Sequence, residues 1–188
     1  MASQPTSPNG TGAVGRDRVG GPGSVSALAA SGTDLYVGGY FRSAGGIEVN
    51  NIAKWDGSSW SALGSGLGRP FHQFVSALVA SGTDLYAGGY FVSTGGVAAN
   101  HVAKWNGSSW STLGSGVTGR DLFSPLPEVS ALAVSGSDLY AGGHFTTAGD
   151  SAATNIAKWN GSSWSPIGSV TGDSGVSFIG VSVYGGVR

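Results

Sequence analysis

VSALAASGTDLYVGGYFRSAGGIEVNNIAKWDGSSWSALGSG, residues 25–66, is the stretch whose reading decides the fold. It returns as VSALVASGTDLYAGGYF from Val75, continuing into HVAKWNGSSWSTLGSG, and as VSALAVSGSDLYAGGHF from Val129, continuing into NIAKWNGSSWSPIGS. Self-similarity at a period of about 50 residues means one supersecondary unit repeated against itself. Each copy reads as four short strands. In the first these are 25–31, 34–41, 51–55 and 60–63. The turn Ser31-Gly32-Thr33-Asp34 joins strands one and two, a longer loop joins two and three, and Asp56-Gly57-Ser58-Ser59 closes the last hairpin. No segment sustains a helical period, so the chain is expected to be all-β.

Strand two does not alternate cleanly. Leu35, Val37 and Phe41 lie on one face and Tyr36 and Tyr40 on the other, so both faces demand cover. A sheet sandwiched between neighbouring sheets, as in a propeller blade, meets that demand. The paired glycines Gly38-Gly39, Gly88-Gly89 and Gly142-Gly143 are poor strand formers, and their recurrence implies close approach by a backbone or a large ring. The indoles of Trp55 and Trp60, Trp105 and Trp110, and Trp159 and Trp164 are expected to fill that space as blade-to-blade packing.

A hydrophobic strand ending in Gly-Gly, then a spaced aromatic, then Trp, resembles the kelch repeat. The nearer likeness is to kelch-like arrays of the form LYxGGxF…NIAKWDGSSW found in large bacterial surface proteins and in fungal cortical proteins. It covers residues 25–168. The resemblance implies a β-propeller of four-stranded antiparallel blades and a parent protein at the cell surface or outside the cell. Trp55-Asp56 imitates a WD repeat, but no Gly-His precedes it and the other copies carry Trp-Asn.

The expected organisation is an N-terminal arm over residues 1–24, blades over 25–74, 75–128 and 129–174, and a partial fourth repeat over 175–188. Asn9-Gly10-Thr11-Gly12 through Asp17 echoes Leu113 through Asp121, so the arm reads as the tail of a preceding repeat. Val176 through Gly186 reads as strand one and the start of strand two. Closed propellers have four to eight blades. Three full blades would leave apolar flanks in water, so a homo-oligomer is expected, two chains closing a ring of six or more. An open stack and a fragment of a longer ring are the alternatives.

Composition narrows the function. Charged residues are 10% of the 188 and the net charge is −1, which gives no footprint for a nucleic-acid backbone or an anionic membrane. Cysteine is absent, so no disulfide or thiolate metal site is available. The first twelve residues contain no apolar signal core, so localisation is left open between a cytoplasmic chain and a piece of an exported one. Gly10 through Gly15 matches G-x-G-x-x-G without the βαβ context, and the string recurs at Gly114–Gly119 as linker.

His72, His101 and His144 occupy different repeat positions and form no zinc spacing. Asp34, Asp84 and Asp138 with Lys54, Lys104 and Lys158 recur in every copy, which marks a structural role. No nucleophile elbow and no carboxylate pair is identifiable: the only glutamates are Glu48 and Glu128. Neither an enzyme nor a cofactor is expected.

Antiparallel connectivity puts the SGTD and DGSS turns on one side of the units, and the 2–3 loops and linkers on the other. The first side is nearly invariant between copies, whereas the linkers differ. Arg69, Phe71, His72 and Gln73 of one and Arg120, Asp121 and Phe123 of the next form the candidate ligand-binding set, since Arg and aromatics dominate interface hot spots. The expected function is a non-catalytic binding or adhesion scaffold that self-associates and presents those linkers to a protein or glycan. A purely structural self-assembling unit is the alternative, and lectin-like sugar binding through Trp and loop residues is the third.

Overall fold

The computed structural model describes residues 23–68, 72–119 and 126–170. Residues 1–22 of the arm, the partial fourth repeat, and Arg69, Phe71, Arg120, Asp121 and Phe123 lie outside the described residues. What is described is all-β, with no helix among those residues.

In the first unit the strands are β1 (Ser24–Ser31), β2 (Asp34–Tyr40), β3 (Ser43–Ala44), β4 (Ile47–Glu48), β5 (Ile52–Trp55) and β6 (Trp60–Ala62). The second has β7 (Phe74–Ser81), β8 (Asp84–Tyr90), β9 (Ser93–Thr94), β10 (Val97–Ala98), β11 (Val102–Trp105) and β12 (Trp110–Thr112). After the linker strand β13 (Val117–Thr118), the third has β14 (Glu128–Ser135), β15 (Asp138–His144), β16 (Thr147–Ala148), β17 (Ser151–Ala152), β18 (Ile156–Trp159) and β19 (Trp164–Pro166). Each unit forms one four-stranded antiparallel sheet, ordered β1-β2-β5-β6, β7-β8-β11-β12 and β14-β15-β18-β19.

The loop after strand two is not plain loop. It folds into a two-stranded hairpin, β3-β4, β9-β10 or β16-β17, turning on Gly45-Gly46, Gly95-Gly96 or Gly149-Asp150. Gly45 and Gly46 have φ of 57° and 88°, the positive values that a two-residue type I′ turn requires. The linkers lock onto these hairpins: Val117 pairs with Ala148, and Leu67 bridges Thr94 of the following unit.

The core lies between sheets. One cluster joins Tyr36, Ile52, Leu63 and Leu67 of the first unit to Val75, Leu85, Phe91 and Trp105 of the second. The other joins Val102, Leu113 and Val117 to Val129, Leu139, Phe145 and Trp164. The sheets therefore pack face to face, each burying a surface that only its neighbour can cover.

The paired glycines mark this packing, although not for indoles. A Cβ on Gly38 would sit 2.6 Å from Val75 Cγ1, and one on Gly88 would sit 2.5 Å from Val129 Cγ1. The first glycine of each pair is thus a pit for the next sheet's valine. The second faces the bulge where strand one shifts register, between Val25 and Ala27 or Val75 and Ala77, and a Cβ there would strike the neighbouring strand's carbonyl.

The indoles pack at other glycines. Trp60 lies against Gly45 and Trp164 against Gly149, while Trp105 and Trp159 lie against Gly64 and Gly114. The two Trp of each last hairpin meet tilted, with ring centroids 5.4 to 5.5 Å apart. Trp110 Nε1 donates to the Leu63 carbonyl and Trp164 Nε1 to that of Leu113, both at 2.8 Å, so the fourth-strand Trp ties its sheet to the one before. Trp110→Phe is expected to lower stability by about 2 kcal/mol, read as an earlier urea midpoint, because it removes a hydrogen bond and part of a packed ring.

Candidate functional site on the linker side

The two turn types do gather on one side. Ser31, Asp34, Thr83, Asp84 and Gly107 border a groove of about 460 Å³ between the first and second sheets. Among the described residues the three Lys–Asp pairs on this side are each internal to a sheet. Lys54 Nζ meets Asp34 Oδ2 at 3.0 Å, Lys104 meets Asp84 at 2.7 Å and Lys158 meets Asp138 at 3.1 Å. The hydrogen bond to Asp34 holds Lys54 above the ordinary lysine range despite some desolvation, and Asp84 does the same for Lys104. These pairs are about a third exposed, so each is worth roughly 0.5 kcal/mol. Lys cross-links strand three to the first turn; it is not an idle cation.

The last hairpin turn is held by its own first residue. Asp56 Oδ1 accepts the backbone N–H groups of Ser58 and Ser59 at 2.8 Å, and both serine hydroxyls also bond to the carboxylate. Those four bonds hold its pKa well below the usual carboxylate range. Asn106 and Asn160 make the same turn with a neutral amide.

The opposite side carries the linkers. A groove of about 440 Å³ runs between Glu48, Asn50, Ser65, Ser93 and Thr94, floored by Gly66 and Gly68. Asn50 Nδ2 donates to the Ser65 carbonyl at 2.7 Å, and Asn100 repeats this with Ser115 at 2.8 Å. Hydroxyls, amides, backbone carbonyls and the carboxylate of Glu48 line this groove, a surface suited to a hydrogen-bonding ligand that is not an anion.

Of the candidate binding set, two residues are described. His72 is exposed, with a positive φ of 57°. Gln73 is buried: its Oε1 accepts the Val92 N–H at 2.9 Å, and its backbone carbonyl accepts Asn51 Nδ2 at 2.9 Å. Gln73 therefore supports the loop on which His72 is displayed. His144 lies half-buried on β15. Among the described residues no group of three His, Cys, Asp or Glu side chains could hold a metal ion.

One recurring position has a role that its recurrence in the sequence does not reveal. Asn51, His101 and Asn155 precede strand three with φ of 62°, 68° and 64°. Asn51 clamps three segments: its Oδ1 accepts the Phe41 N–H at 3.2 Å and its Nδ2 reaches the carbonyls of Leu67 and Gln73. Asn155 does likewise with Phe145 N and the Val170 carbonyl. The signal was an Asn recurring ahead of IAKW, the residue that best tolerates a left-handed backbone outside glycine.

His101 breaks the series. Its ring stacks on Tyr90, centroids 5.7 Å apart at 18°, and Tyr90 meets Phe74 in turn. Its Nδ1 is buried with no hydrogen-bond partner, and burial lowers its pKa to about 4.

The described residues thus define an all-β repeat protein of three stacked four-stranded antiparallel sheets, with one invariant side and one variable side. Comparison with known proteins adds no narrower class: no family model matches the chain, and no curated protein matches it.

Proposed function

We propose that the three sheets are blades of a kelch-like β-propeller completed by self-association, and that the protein is a non-catalytic binding scaffold presenting its linker side to a protein or glycan. The observation that carries this reading is the contrast between the two sides of the stacked sheets. Turns on one side repeat nearly letter for letter, whereas the linkers GLGRPFHQF (66–74) and GVTGRDLFSPLPE (116–128) diverge in length and chemistry. Face-to-face packing with the core between sheets supports the blade reading.

The ionisable groups of the sheets support a non-catalytic role, since Asp34, Asp84 and Asp138 are each engaged by a lysine of the same sheet. The indoles support packing over sugar stacking: Trp105 and Trp164 are buried, and Trp110 is tied by its N–H to the preceding sheet. A sugar ligand would therefore be met by the linkers and the polar groove rather than by Trp105, Trp110 or Trp164.

The test is a glycan array run on the wild-type chain and on a Arg69→Ala, His72→Ala, Arg120→Ala triple variant, with solution mass measured beside it. Loss of array binding at unchanged mass supports a linker-borne site. Binding that survives the triple variant removes these linkers from the site. A silent array with a persistent oligomer favours the purely structural reading.

A further inference from the structure

Among the described residues two sheet-to-sheet interfaces are built to one plan, and both halves of a third are left open. On the face of the second sheet that meets the first, Val75, Ala87 and Phe91 are buried; on the third sheet Val129, Ala141 and Phe145 are buried in the same way. The corresponding face of the first sheet is open. Val25 and Leu28 are 59% and 61% exposed, although they stand at the repeat positions of Val75 and Leu78. A groove of about 340 Å³, lined by Val25, Val37, Phe41 and Trp60, lies on that face.

The far face of the third sheet is the complement. Ile167 and Val170 are 44% and 40% exposed, whereas their counterparts Leu63, Leu67, Leu113 and Val117 are buried under the next sheet. Gly142 is only half-buried, while Gly38 and Gly88 are buried beneath the next sheet's valine. The indoles repeat the pattern. Trp110 and Trp164 each donate to a carbonyl of the preceding sheet, and Trp60 finds no such acceptor among the described residues.

We infer that the open face of the first sheet docks head to tail on the far face of the third sheet of a second copy. This rests on the propeller reading above and names the surfaces that complete it. The internal interfaces supply the contacts. Val25 and Leu28 of one copy cover Gly142 of the other, as Val75 and Leu78 cover Gly38. Val170 of the second copy enters the groove beside Phe41, as Leu67 does beside Phe91, and Trp60 Nε1 donates to the Ile167 carbonyl. Residues 175–188, read above as strand one and the start of strand two of a further repeat, supply at most two of the four strands that cover a face. A second copy is therefore the occupant: each open face matches the other, and both continue a stacking series the chain already shows twice. Such a contact is heterologous, so it closes a ring when the rotation allows, two copies being the smallest, and otherwise grows longer oligomers.

The test uses two variants of the full chain. Leu28→Glu puts a charge on the open face of the first sheet. Gly142→Val puts a side chain at the repeat position of the Gly38 and Gly88 pits, at a strand position whose φ is not positive and which no other described sheet covers. Wild-type chain is expected to sediment at a whole multiple of 18.6 kDa. Each variant alone should lose association by about 100-fold or more and sediment as a folded monomer, with its far-UV circular dichroism unchanged.

Mixing them is the decisive arm. A heterologous contact leaves one intact pair of faces, so the mixture should form a one-to-one dimer. A monomeric wild type overturns the inference together with completion of a propeller by self-association. A wild-type oligomer that survives both variants, or a mixture that stays monomeric, overturns these two faces while leaving self-association standing. Glycan binding that persists in the monomeric variants leaves the linker site standing by itself.

Discussion

Replacing Gly89 with alanine is expected to cost about 4 kcal/mol and lower the melting temperature by roughly 10 °C, measured by thermal denaturation and urea midpoint. The added Cβ would meet the Phe74 carbonyl oxygen, with Val75 Cα at 2.9 Å and Ser76 N at 3.0 Å. All three are backbone atoms of β7 at its bulge, and no rotamer change can move them aside. Relief would require β7 to separate from β8, and β7 is also the strand that fills the first sheet's glycine pit. Gly82→Ala is the internal control. Gly82 has a φ of 60° with nothing within 4 Å, so its replacement costs only the backbone strain of a left-handed alanine, about 1 kcal/mol. Equal losses at the two positions would show that close approach is not what Gly89 serves.

The second large effect is an acid limb traceable to one side chain. Burial holds His101 at about 4 against an ordinary 6.5, so the folded chain keeps the imidazole neutral where the unfolded chain has already taken up a proton. Between those values the unfolded state binds more protons, and stability falls as pH is lowered from about 6.5 to about 4, then levels off. The expected loss over that range is about 3 kcal/mol, and it is absent above the unfolded value.

His101→Asn should erase that limb. At neutral pH it should also raise stability by about 1 kcal/mol, because the amide can reach the Val117 carbonyl as Asn51 reaches that of Leu67, while the stack on Tyr90 is lost. Urea titrations of both proteins at pH 7.5 and pH 4.5 decide it. An acid loss of the same size in His101→Asn would assign the limb to another group.

Much of this protein could be read without coordinates because its sequence repeats. Four strands per unit, the SGTD and DGSS turns and the absence of helix follow from alternation, β-branched and aromatic content and turn chemistry, all of which are local. The hairpin on Gly45-Gly46 was legible too. Two adjacent glycines between short strand-compatible runs, Ser43-Ala44 and Ile47-Glu48, are a type I′ signal. The clamp at Asn51 and Asn155 was visible as a recurring letter but not as a function, since its partners lie 10 to 22 residues away in sequence.

What fills the glycine pits could not be read. Gly-Gly in a strand announces that something comes close, and both an indole and a valine satisfy that requirement on paper. The choice depends on how far one sheet is rotated against the next, a property of no single unit. In the same way the sequence placed apolar residues at Val25 and Leu28 and at Val75 and Leu78 with one pattern. Only the stacking order leaves the first pair bare and covers Val75, because burial here belongs to the interface between units and not to the unit itself.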